Sequence, residues 1–179
     1  MNQHYVVLHH SATVDGRLND WKGICRFHTS WRRMDRGEII QPAEVAGLVK
    51  LGVRVIAPWR GPCGYHRGIE RIAGKVVRHE GRPLWDVGAH CDGFNHRSAG
   101  ICVVGCFDKE PPDSAIWQAA LIETRRVIAE RKLDLVEMVE RKLVIGHRES
   151  YTLLGKPVEK SCPGAKFDMN KFRFDLLQA

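Results

Sequence analysis

The run Gly100-Ile-Cys-Val-Val-Gly105 constrains this chain most. No charge interrupts it and glycine bounds it on both sides, which suits a central strand covered on both faces. Other segments supply its neighbours. Tyr5-Val-Val-Leu-His9 is a short β-rich run, and Leu143-Val-Ile145 is another that ends at Gly146-His147. Tyr65 to Ile72 and Lys75 to His79 read as paired strands around a hairpin turn at Ala73-Gly74.

Helical patterns alternate with these strands. Leu18, Trp21, Ile24, Phe27 and Trp31 recur at helical spacing, with Asn19 and Asp20 placed to cap the start. Pro111-Pro112-Asp113-Ser114 stops the chain and caps a second helix, whose apolar face is Ile116, Ala120, Leu121, Val127 and Ile128. Lys171 to Leu177 reads as a short third helix, and Gly88 to Ser98 is turn-rich. Met34 to Pro62 fits no single pattern; it holds a short helix (Pro42 to Lys50) and a strand-like Gly52-Val-Arg-Val-Ile-Ala57. The expected fold class is therefore α/β: a single domain over residues 1–179, with a central mixed β-sheet flanked by helices. No internal repeat or low-complexity tract is visible.

Composition narrows the compartment and the partners. No segment approaches the ~18 apolar residues of a membrane span. The start, MNQHYVVLHH, lacks the basic, apolar and small-residue succession of a signal peptide. Cytoplasmic synthesis in a reducing environment is therefore expected, and Cys25, Cys63, Cys91, Cys102, Cys106 and Cys162 are expected as free thiols. Cys102 and Cys106 read as core packing on one face of a strand. The formal charge of +7 favours anionic partners such as nucleic acid, wall polymer or a membrane surface. The basic residues form no single block, however. They cluster only at Trp31 to Arg36, and Glu123, Glu130, Glu137 and Glu140 dilute the later arginines, so a solvated surface accounts for them.

His9, His147 and Cys162 stand at strand ends or adjacent loops and are of the residue types that bind zinc. Spacing alone leaves them open, because no CxxC or HExxH pair is present. Cys162 could equally be an inert thiol, half of a disulfide or a nucleophile.

Five ordered words change the balance: VVLHHSAT, GYHRGIER, VGAHCDGFNHRSAGICVVG, IGHRES and EKSCPGAKFD. Together, from about Val6 to Asp168, they resemble the zinc-dependent N-acetylmuramoyl-L-alanine amidases, a family that includes small phage lysozymes and the animal peptidoglycan recognition proteins. The resemblance implies one Zn2+ per chain on His9, His147 and Cys162. It implies catalytic roles for Tyr65 of GYH and for Lys160, two residues before the cysteine. A lysine ammonium can stabilise a tetrahedral oxyanion, and a phenol can orient water or help move a proton. His90, in the loop facing the substrate groove, and more weakly Asn95 are expected to touch substrate. His10 falls at a variable position, and strand alternation turns it to the other face; the same alternation points His66 away from the zinc. Glu149 is expected to cap or to face solvent, since no helical HExxH makes it a base.

The resemblance implies a peptidoglycan hydrolase cleaving the bond between N-acetylmuramic acid and L-alanine of the stem peptide. A phage endolysin, made in the cytoplasm and reaching the wall once the membrane is breached, fits best. A cytoplasmic muropeptide-recycling amidase and a non-catalytic peptidoglycan-binding module remain the alternatives. A monomer is expected. Some phage lysozymes of this family also bind an RNA polymerase, but no feature of this sequence identifies such a surface. Two departures stand out: Pro62-Cys63 replaces the usual aspartate and aliphatic residue before GYH, and about 34–60 reads as an insertion.

Overall fold

Four of the expected strands pair side by side and in parallel, and the rest of the molecule is arranged around them. The structure is a computed structural model that describes residues 4–13 and 20–178. In chain order its elements begin with β1 (Tyr5–His10), α1 (Asp20–His28), β2 (Arg32–Arg33) and β3 (Glu38–Ile39). A 3-10 turn (Pro42–Glu44) leads into α2 (Val45–Lys50) and β4 (Val55–Ile56). Then come β5 (Arg67–Ile72), β6 (Lys75–Glu80), β7 (Ser98–Val103), α3 (Ser114–Glu130) and α4 (Leu135–Glu140). The chain closes with β8 (Val144–Gly146), α5 (His147–Leu153) and α6 (Met169–Gln178).

The main sheet runs in the order β6-β5-β7-β1-β8. β7 lies between β5 and β1, parallel to both, and all six of its residues are buried. β8 is parallel to β1, and only β6 is antiparallel, through the hairpin with β5. The mixed sheet flanked by helices is the fold class read from the hydrophobic runs. Its core joins Val6, Leu8, Ile69, Ile101 and Val103 to Ile116, Leu121 and Ile128 of α3 and to Phe172 and Leu176 of α6. α1 lies over the opposite face, where Trp21 packs with Cys63 and Cys102.

The register positions the site. β1 pairs Leu8 with Gly146 of β8 and His9 with Cys102 of β7. Parallel strands end at the same edge, so His9 at the end of β1 and His147, one residue beyond β8, emerge side by side.

Several expectations are adjusted. β5 begins at Arg67, so Tyr65 and His66 precede it, although the His66 N–H still donates to the Gly100 carbonyl at 2.9 Å. The expected helix start at Leu18 and the Asn19 cap lie outside the described residues. Two short helices, α4 and α5, lie where the sequence reading places none. Cys106 does not share the core with Cys102: β7 ends at Val103, Gly105 takes φ +143°, and the Cys106 side chain is exposed. Between Arg32 and Ile56, β2, β3 and β4 form a small antiparallel sheet in the order β3-β2-β4. Arg32 anchors it. Its buried guanidinium stacks 4.2 Å from the Trp59 ring and donates to the carbonyls of Phe27 and Ala57.

Candidate active site and metal centre

His9, His147 and Cys162 come together although 153 residues separate the outer two. Their donor atoms all lie within 4.8 Å of one another. The His9 and His147 ring centroids are 4.7 Å apart, and Cys162 Sγ is 3.7 Å from His9 Nδ1. His9 comes from the end of β1 and His147 from the first turn of α5.

α5 is held in place by its ends rather than by an apolar stripe. Glu149 Oε2 accepts the Gly146 N–H at 2.7 Å and pairs with Arg173 of α6 at 3.0 Å. Glu149 is thus a capping residue, as the sequence suggested, and not a base. Gly146 is required by close approach: a Cβ there would lie 2.6 Å from Pro163 Cδ, beside Cys162.

Arg148, which sequence reasoning missed, holds the third donor. It donates from its backbone N–H to the Cys162 carbonyl at 2.7 Å. Its guanidinium reaches the carbonyls of Ser161 (3.0 Å), Gly164 and Phe167 (2.8 Å). The only signal was its place directly after His147 in IGHRES. The His10 N–H completes the clamp by donating to Cys162 Sγ at 3.4 Å.

Charge and burial suit a soft cation. Burial holds His9 well below its ordinary range and His147 at about 4, the latter with help from Lys160, so both rings are neutral with a lone pair available. Burial pushes the Cys162 thiol up to about 12. No carboxylate of the described residues belongs to the cluster. Two neutral imidazoles and one thiol that a cation would ionise form a three-ligand set suited to zinc with a fourth position free.

The three donors open onto a cavity of about 940 Å³. Tyr65, His90, His28, Trp59 and Lys160 also line it. The Tyr65 ring lies 5.0 Å from His9 by centroids, and burial, with the neighbouring Cys102, holds the phenol well above its usual pKa. Lys160 is exposed at the rim, and its charge is felt at both His147 and Cys162. His28 accepts the Gly64 N–H on Nδ1 at 3.0 Å and so fixes the loop before Tyr65.

The remaining sequence candidates are placed as follows. His90 is buried at the cavity wall, with Nδ1 3.1 Å from His9 Nε2. Asn95 is turned into its own loop, its Oδ1 accepting from the His90 and Cys91 backbone at 2.9 Å each. His66 does not line the cavity; its Nδ1 accepts from the Gly100 N–H and its Nε2 donates to the Asp86 carbonyl. A second donor group, His10, Cys106 and Asp108, is headed by the next residue of β1. There His10 Nδ1 accepts the Phe107 N–H at 3.2 Å. That keeps the ring proton on Nε2, and neither nitrogen has a lone pair to offer.

The mixed sheet flanked by helices is a fold shared with known amidases and recognition proteins. The amidase LysC of Clostridium intestinale superposes with a TM-score of 0.60 at 20% identity, over 99% of this chain and 87% of that one. Drosophila PGRP-LB does so at 0.56 and 21%, over 93% and 78%. The chain belongs to the N-acetylmuramoyl-L-alanine amidase family, whose pattern matches residues 1–165. It is 30% identical to the endolysin of Escherichia phage T7 over 127 residues, covering 68% of this chain and 74% of that protein.

Proposed function

We propose that this amidase is zinc-dependent and serves as a phage or prophage endolysin. It would hydrolyse the amide between the lactyl carbonyl of N-acetylmuramic acid and the L-alanine nitrogen. One observation carries the reading: His9, His147 and Cys162 converge within 4.8 Å on the wall of a cavity that Tyr65 and Lys160 also line.

Zinc held by these three residues supplies Lewis-acid polarisation of the carbonyl and activation of water. The chain's own groups do the rest. The Lys160 ammonium, exposed at the rim, would face the negative charge that develops on the carbonyl oxygen. Tyr65 stays protonated because burial and the Cys102 contact disfavour the phenolate; it can therefore donate a hydrogen bond and orient the attacking water, but not act as a base at neutral pH. The amide bond breaks, the lactyl carbon gains the hydroxyl of water, and the proton leaves with the alanine amine. His90 and Asn95 were candidates for touching substrate; the cavity position of His90 supports contact more than the loop-bound Asn95 does.

The endolysin reading draws on the similarity to the T7 protein, named an endolysin, and to that of Enterobacteria phage T3, 29% identical over 127 residues. The test is metal content measured alongside the masses released from purified sacculi. One zinc per chain and stem peptides with a free alanine amine are expected. Turnover confined to soluble anhydro-muropeptides would point to recycling instead. Binding to sacculi without new amino termini would mark a non-catalytic module.

A further inference from the structure

His90 has no role in the chemistry above that requires a histidine, yet the structure builds a close-fitting slot for it. A Cβ on Gly88 or on Gly100 would lie 2.6 or 2.5 Å from the His90 ring. Two glycines on different segments therefore leave the space that this imidazole fills. The ring is buried, and both of its nitrogens meet polar atoms.

Hydrogen-bond polarity can be followed through this slot from one fixed end. Ser98 has a single hydroxyl proton, and it is committed to the Phe94 carbonyl at 2.8 Å. Towards His90 Nε2, at 3.4 Å, the Ser98 oxygen can then only accept. The His90 proton is thus on Nε2, and Nδ1 carries the lone pair. That lone pair lies 3.1 Å from His9 Nε2, so His9 donates Nε2–H. His9 Nδ1 is left bare on the side of Cys162 Sγ, 3.7 Å away.

We propose that His90 is a positioning residue for the metal centre: the chain Phe94 carbonyl–Ser98–His90 fixes the tautomer and ring orientation of His9, so that Nδ1 is presented to zinc. Partners of this kind on a ligating histidine fix the tautomer and raise ligand basicity, and their loss typically costs 10–100-fold in metal affinity. The inference rests on the zinc reading of the same site, and its test separates the two.

The tautomer is read first, in the metal-free protein, by long-range 1H–15N correlation spectra of the histidine rings. His9 protonated on Nε2 and His90 protonated on Nε2 are expected; His9 protonated on Nδ1 overturns the proposal whether or not zinc binds. Zinc affinity is then measured by chelator competition. His90→Phe, which keeps the ring and removes the acceptor, is expected to weaken zinc by ~10–100-fold, whereas His90→Asn, which restores an acceptor near the Nδ1 position, recovers most of it. Folded His90→Phe with wild-type zinc affinity overturns the proposal. Wild-type protein that takes up no zinc while His9 shows the expected tautomer defeats the zinc reading and leaves the hydrogen-bond chain standing.

Discussion

His9 and His10 are neighbours in β1, and each heads a trio of metal-type donors, but the two clusters are built differently. The His9 trio is walled by the sheet, α5 and the Cys162 loop, and its nitrogens are released by their partners. His9 donates its Nε2–H to His90, and no carboxylate of the described residues joins the trio. In the His10 trio, Cys106 is exposed and Asp108 half-exposed, its Oδ1 taken by the Ala165 N–H at 2.9 Å. There His10 accepts a backbone proton where it would need to bind metal. The pair teaches that proximity of donors does not define a metal site; the direction of the surrounding hydrogen bonds does.

The largest effect that can break this comparison is the loss of a donor from each side. Cys162→Ala should remove zinc and turnover together, as read by metal analysis of the purified protein and release of alanine amines. Full zinc occupancy in that variant would remove Cys162 from the site. Next, Lys160→Ala should keep zinc and lower kcat by ~10²–10³-fold, about 2.7–4 kcal/mol, if its ammonium acts as one oxyanion donor. Unchanged kcat on sacculi would take it out of the mechanism.

A third histidine sharpens the point about polarity. His66, like His10, accepts a backbone N–H on Nδ1, and burial holds it at about 4. Its folded pKa lies below the unfolded 6.5, so the unfolded chain binds the extra proton first. The contribution is present in full above pH 6.5 and is lost as pH falls towards 4. The loss should reach about 3 kcal/mol for this residue. Urea unfolding of the zinc-free protein at several pH values measures the slope, and His66→Asn should flatten it; an unchanged slope refutes the assignment. The smallest effect belongs to the second cluster. Cys106→Ala should leave zinc content and turnover at wild-type levels, and a loss of metal there would show that both trios bind.

How much of this was legible depended on how each element is stabilised. β1, β7, β8, the β5–β6 hairpin and α3 bury apolar faces, and burial writes itself into residue period. α4 and α5 are short and stand on polar capping instead. The Asp134 side chain accepts the Glu137 N–H at 2.7 Å, and Glu149 accepts the Gly146 N–H; α4 turns only Leu135, Met138 and Val139 to the core, a single turn too short to establish a period. The strands of the small sheet are two residues long and leave no alternation. Within the site, the donor residues were visible in the ordered words, but their partners were not. Arg148 acts on main-chain carbonyls, which any sequence could present, and Ser98 acts through the direction of one proton. Cys106 was misread because a single glycine dihedral, at Gly105, carries the chain off the strand.

Arg148 also changes how the centre should move. It follows His147 in the chain, and its guanidinium and backbone together grip the 161–167 loop that carries Cys162. Two of the three donors are therefore tied to each other, and through Gly146, which pairs with Leu8, to the strand that carries the third. A cation arriving at the site meets donors already held relative to one another instead of three independent side-chain segments. Less disorder is lost on binding, and a variant that loosens this grip should weaken the metal centre without touching any atom that meets the metal.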